Sequence, residues 1–173
     1  MHREPEFKSL IKFYLTSAAC MFLGAVHGSL QVVTPIREWL SAIGSPLTGP
    51  GRMIDPLAHA HLTVIGGVII FAMGAIYYLG AHISGHAIYS RKMLEHSFWW
   101  TTLGMFGTYG SFMFFGITEG HLLLTQPEQI EAVHVYYGPT LSVAGTAMST
   151  GFLIFFINLV LTVRNRPGRH EAS

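Results

Sequence analysis

Apolar and polar positions segregate along this chain into four long apolar runs joined by short polar stretches. The runs cover about 10–34, 57–79, 98–124 and 133–163. Roughly 20 apolar residues in a helix cross the hydrocarbon core of a bilayer. Helices are favoured because lipid offers no partner to an unpaired backbone group. The pattern predicts an all-α fold: a polytopic membrane four-helix bundle forming one domain over residues 1–173. The first linker, 34–56, holds four prolines and several glycines and predicts a structured loop with a short helix around Ile36–Ile43. The second, 81–97, is polar and basic, and the third, 125–132, is short and acidic with a turn at Gln126-Pro127.

Small residues mark where helices would approach closely. They are Gly24 and Gly28 in the first run, Gly104, Gly107 and Gly110 in the third, and Ser142, Gly145, Ser149 and Thr150 in the fourth. Gly138-Pro139 should bend or loosen the last helix near its start.

Charge sets the orientation. Arg3, Lys8, Lys12, Arg91, Lys92, Arg164, Arg166 and Arg169 fall on one side of a four-span topology, Arg37 and Arg52 on the other. The positive-inside rule places both termini in the cytoplasm. The first and third linkers then face outward, to the periplasm if the membrane is a bacterial inner membrane. The basic N-terminus leads into a run without a clear small-x-small cleavage site, so a retained span is expected rather than a signal peptide.

Composition agrees with this picture. Half of the 173 residues are hydrophobic and 11% are charged, against about a quarter in soluble domains. A net charge of +1 gives no field that would attract nucleic acid. Cys20, the single cysteine, lies in an apolar run and supports neither a disulfide framework nor a cysteine metal site.

The ten histidines carry the chemistry. His2, His82, His86, His96 and His170 fall on the cytoplasmic side, mostly in linker or tail, and read as solvated or interfacial. His27, His59, His61, His121 and His134 fall toward the outer face. An ionisable residue inside a span is a functional candidate by default, which puts His27 and His61 first. His121 and His134 lie nearer the interface, where a histidine is cheap. His59 and His61 flank Ala60 at the mouth of the second span. At about 100° per residue they project to opposite faces. They therefore serve two sites, or one is a ligand and the other meets the membrane surface; they do not chelate one ion. No Cys, Asp or Glu stands at zinc-ligand spacing within the spans. A heme needs only one or two axial imidazoles and an apolar slot. Gly66, Gly67, Phe22, Phe71, Phe112, Phe114 and Phe115 would supply that slot, or are ordinary core.

His59-Ala60-His61, then Gly66-Gly67-Val68 and Gly74-Ala75-Ile76-Tyr77-Tyr78-Leu79, resembles the tenth helix of the catalytic subunit of heme-copper oxidases, in the branch of the C-type oxidases and nitric oxide reductases. Phe98-Trp99-Trp100-Thr101-Thr102-Leu103-Gly104, ending in Gly116-Ile117-Thr118-Glu119-Gly120, is similar to the eleventh. The first and fourth spans would match helices nine and twelve. The resemblance covers nearly all of this chain but only about the last third of such a subunit. A second alignment stays open, with the first two spans matching the family's first two helices.

The resemblance implies that His59 would ligate a high-spin heme and His61 a low-spin heme. It also marks what is missing. The helices that hold the family's copper or non-heme iron have no counterpart, so no copper is expected in this chain. The customary second ligand of the low-spin heme is missing too, and the family's F-E-G position reads Phe22-Leu23-Gly24. His27 is the first candidate for a new axial partner, with His134 and His121 behind it; a symmetric dimer sharing one heme is a further arrangement. The expected function is that of a small cytochrome b holding one heme b, or two, near the outer face. It would carry electrons within a respiratory or periplasmic redox complex, with a c-type cytochrome or periplasmic redox protein as partner. The alternatives are an accessory or split part of a heme-copper oxidase or nitric oxide reductase, and a membrane heme-based gas sensor.

Overall fold

The structure, a computed structural model, describes residues 8–164. His2, His170 and the basic residues Arg3, Arg166 and Arg169, used above to orient the chain, lie outside the described residues. Every element is helical, and no strand occurs among the described residues. The long elements are α1 (Ile11–Gln31), α3 (Gly49–Ser84), α4 (Arg91–Thr125) and α6 (Tyr137–Arg164); the short helices α2 (Thr34–Ala42) and α5 (Ile130–His134) lie in the first and third linkers. Three segments, Ile11–Gln31, Gly49–Ser84 and Pro127–Arg164, are long and apolar enough to cross a membrane. The 35 residues of α4 are long enough, but its Gly, Thr, Ser and Trp residues dilute its hydropathy below that of the others.

α3 is helical from Gly49 but kinks at Asp55, which is extended at φ −131° and ψ 109°. Pro56 follows, and the ring of a proline drives the residue before it out of the helical region. The helix restarts there, so the continuous part of α3 begins close to the expected start at 57. From His61 to Ile69 its backbone takes π-helical pairing. Side chains compete for the carbonyls that an α-helix would use. His61 Nδ1–H donates to Leu57 O at 2.8 Å, and Thr63 Oγ1 donates to His59 O at 2.9 Å. Such local bonds offer the backbone an alternative to the i−4 ladder.

Helices α1 and α3 pack through their glycines. A Cβ on Gly24 would run into Thr63, and one on Gly28 would stand 2.9 Å from His59 Cε1. The pair α4 and α6 makes the most extensive contact in the fold. Ala144, Gly151 and Asn158 are buried at seven-residue intervals along α6, the spacing of a left-handed seam. The small residues expected to make this contact do so only in part. Ser142 and Ser149 are exposed, and a Cβ on Gly145 would meet nothing. The seam lies on the neighbouring face, where Gly104 receives the α6 backbone and Gly151 receives the α4 backbone. Gly138-Pro139 does not bend a helix either. α6 starts at Tyr137, so Pro139 falls in its first turn, where a missing N–H costs nothing.

At the end of the helices nearer both chain termini, Asn158 is fully buried. Its Oδ1 accepts from Ser90 N and its Nδ2 donates to Ser90 O, both at 3.0 Å, and Nδ2 also reaches Tyr77 Oη at 3.3 Å. Lys12 on α1 pairs with Glu95 on α4 at the same end. At the other end the α2 linker folds over α4. Leu40, Ile43 and Ile54 form a small buried cluster, and Gly116 and Gly120 make room for Ile54 and Ile43. Gly44, at φ +97°, has the left-handed backbone that this turn requires. The resulting cap sits beside the mouth of α3.

Candidate functional site

His59 and His61 project to different neighbours, as two-residue helical spacing requires. His59 faces α1. Its ring lies 5.7 Å from that of His27, with the planes at 89°. His61 faces α4, its ring 5.0 Å from Phe112. His27 is thus the neighbour of His59 and not of His61.

The state of each imidazole follows from its partners. Gln31 is buried one turn beyond His27 on α1. Its Nε2 lies 3.2 Å from Ile54 O and 3.1 Å from His27 Nε2. A carbonyl only accepts, so the amide nitrogen faces Ile54 and donates to both. His27 Nε2 is then the acceptor and Nδ1 carries the proton. That Nδ1 is buried without a partner, and so is Nδ1 of His59. Each orphaned group costs about 1–3 kcal/mol, so these two nitrogens are the least satisfied polar atoms at this end of the fold.

His61 is arranged differently. Its Nδ1–H is held by the Leu57 carbonyl, which fixes the ring and leaves the Nε2 lone pair uncommitted. This is how a metal-ligating imidazole is oriented. Leu57 also lines a cavity of about 420 Å³ with Arg52, Thr48, Met53 and Tyr137. Behind His61, Phe112 and Phe115 are buried and pack with Tyr137 and Leu141. Phe22, Phe71 and Phe114, also expected in an apolar slot, point outward.

His134 belongs to a third group. Its Nδ1 lies 3.0 Å from Glu119 Oε1 and 3.1 Å from Oε2, and its ring stacks on Tyr137 at 5.3 Å. Glu119 is 3% exposed, so the imidazole N–H is what satisfies a buried carboxylate. Sequence reasoning passed over Glu119 and Gln31. The signals were present: a carboxylate inside an apolar run, and a glutamine one turn from a histidine on the same face. His121 is exposed and joins none of these groups. At the opposite end of the helices His82 stacks on Tyr78 and His86 Nδ1 meets Thr162 O at 3.2 Å; His96 is exposed.

The fit of a heme differs among these histidines. Between His27 and His59 no porphyrin-wide slot exists, because Gly28 and Gly24 bring α1 directly against His59 and Thr63. His61 fits a single axial ligand, with one nitrogen anchored on Leu57 O and the other open, beside the ring of Phe112. No group of three or more His, Cys, Asp or Glu side chains converges among the described residues. No family model matches the sequence, and no curated protein matches it.

Proposed function

We propose that this chain is a small membrane cytochrome b, a heme b-binding subunit in which His61 is the axial ligand. The carrying observation is the anchored Nδ1 and uncommitted Nε2 of His61. Bound heme would supply one-electron redox chemistry. The chain's own residues would orient it: Leu57 O fixes the imidazole plane and Phe112 walls the ring. In this reading the chain spans a bacterial inner membrane four times, with α4 as the third span and both termini cytoplasmic. The site then lies toward the periplasmic face, within reach of a c-type cytochrome or a periplasmic redox enzyme. The chain is not catalytic alone.

The test is a reduced-minus-oxidised visible spectrum of the purified protein. A b-type spectrum that is lost in His61→Ala and kept in His27→Ala is expected. A heme-free protein overturns the proposal.

A second reading is favoured by one observation: among the described residues no other imidazole reaches the ring of His61, so a sixth ligand would have to come from elsewhere. Another chain would supply it, either a second copy or a larger subunit of a heme-copper oxidase or nitric oxide reductase assembly. Left open, the sixth position would bind a gas. Carbon monoxide separates the two, since it shifts the spectrum of a five-coordinate heme and leaves a six-coordinate one unchanged.

A further inference from the structure

The pair His27 and His59 is unused by the proposed heme site. Both Nδ1 atoms are buried without a partner, and their rings come from different helices. Two imidazole nitrogens bound to one ion, each at about 2.0–2.1 Å, hold their ring centroids about 5–6 Å apart. The observed separation of 5.7 Å falls within that range. The site is built for closeness: Gly28 has no Cβ, and one there would stand 2.9 Å from His59 Cε1. A macrocycle has no room at this level, whereas a bare ion held by two imidazoles needs far less space.

We propose that His27 Nδ1 and His59 Nδ1 bind one first-row transition-metal ion of the copper or zinc class, separate from the heme site on His61. Imidazole-only donors suit these ions, and copper(II) stands highest in the affinity order. Two protein ligands leave the remaining positions to water or to a small exogenous ligand.

Gln31 is the positioning residue. In the metal-free state its amide donates to His27 Nε2, which keeps the proton on Nδ1. Binding at Nδ1 moves that proton to Nε2, and the imidazole stays neutral. For Oε1 to accept from Nε2–H, the Gln31 amide turns over and swings clear of Ile54 O, giving up the bond that its nitrogen donates there in the metal-free state. A carbonyl on the far nitrogen is the usual outer-shell partner of a metal-bound histidine.

The probe is copper(II), added to tag-free, chelator-treated protein in detergent, with zinc(II) as a second titrant. One tightly held ion per chain is expected, and pulsed electron paramagnetic resonance of the copper form should show two imidazole nitrogens. His27→Gln and His59→Gln should each lose the ion, His61→Ala should retain it, and Gln31→Leu should weaken binding about 10–100-fold. Loss of heme in His61→Ala with the ion retained separates this site from the heme proposal. No ion above background, a single imidazole nitrogen in the wild-type spectrum, or undiminished binding in His27→Gln overturns it. The wild-type spectrum decides the matter even if a variant fails to fold.

Discussion

His61 Nδ1 lies 2.8 Å from the carbonyl oxygen of Leu57, one turn back along α3. The bond fixes the imidazole plane and tautomer, and it takes a carbonyl that the helical ladder would otherwise use. The π-helical stretch that follows is of the kind often found at functional sites. Removing the side chain while keeping the backbone should leave a cavity that free imidazole can enter. His61→Gly is therefore expected to lose heme on purification and to regain a b-type spectrum when millimolar imidazole is present during reconstitution. A variant that keeps its heme without imidazole would assign the ligand elsewhere.

Much of the helical layout is legible in the sequence, because apolar run length and the proline-rich linker are local signals. The short helix expected around Ile36–Ile43 is there at Thr34–Ala42. The opposite projection of His59 and His61 also follows from helical geometry alone. The pairing of His27 with His59 does not. Depth in the membrane ranks His27 as a candidate, but only the contact of Gly28 with His59 decides which histidine it meets. The seam of α6 is misplaced for a similar reason. Small residues line more than one face of that helix, and Ala144, Gly151 and Asn158 are chosen over Ser142, Gly145 and Ser149 by what α4 presents.

That seam gives a contrast between two glycines on one helix. A Cβ at Gly104 would press on the α6 backbone, with Ala144 O at 2.7 Å, whereas one at Gly110 would meet nothing within 4 Å. Overpacking against backbone costs about 1–3 kcal/mol, and Gly→Ala in an unobstructed helix gains about 0.5–1 kcal/mol. Gly104→Ala should lower the unfolding midpoint in detergent, and Gly110→Ala should leave it unchanged or raise it. Equal effects at the two sites would contradict the α4–α6 packing.

Glu119 and His134 should behave as a coupled pair. Glu119 is buried, and the ring of His134 supplies its N–H. His134→Ala leaves a buried acceptor unsatisfied, at a cost of about 1–3 kcal/mol. Glu119→Gln removes the charge. The double variant is therefore expected to be more stable than the sum of the two single losses, by a coupling of about 0.5–3 kcal/mol. Denaturant unfolding of all four proteins measures this directly, and strictly additive losses would mean that the two side chains do not interact.

The four-span orientation can be checked chemically, since Cys20 is buried and Cys20→Ser provides a cysteine-free background. Glu128 lies in the linker between α4 and α6, and Lys92 lies near the start of α4; both are exposed. If α4 crosses the bilayer, the two positions are on opposite sides. Glu128→Cys should then react in intact cells with a thiol reagent that does not enter the cytoplasm, and Lys92→Cys should react only after lysis. Reaction of both in intact cells, or of neither, would mean that α4 does not separate them across the membrane. The reverse pattern would keep four spans but invert them, placing the histidines His27, His59 and His61 at the cytoplasmic face, out of reach of a periplasmic electron donor.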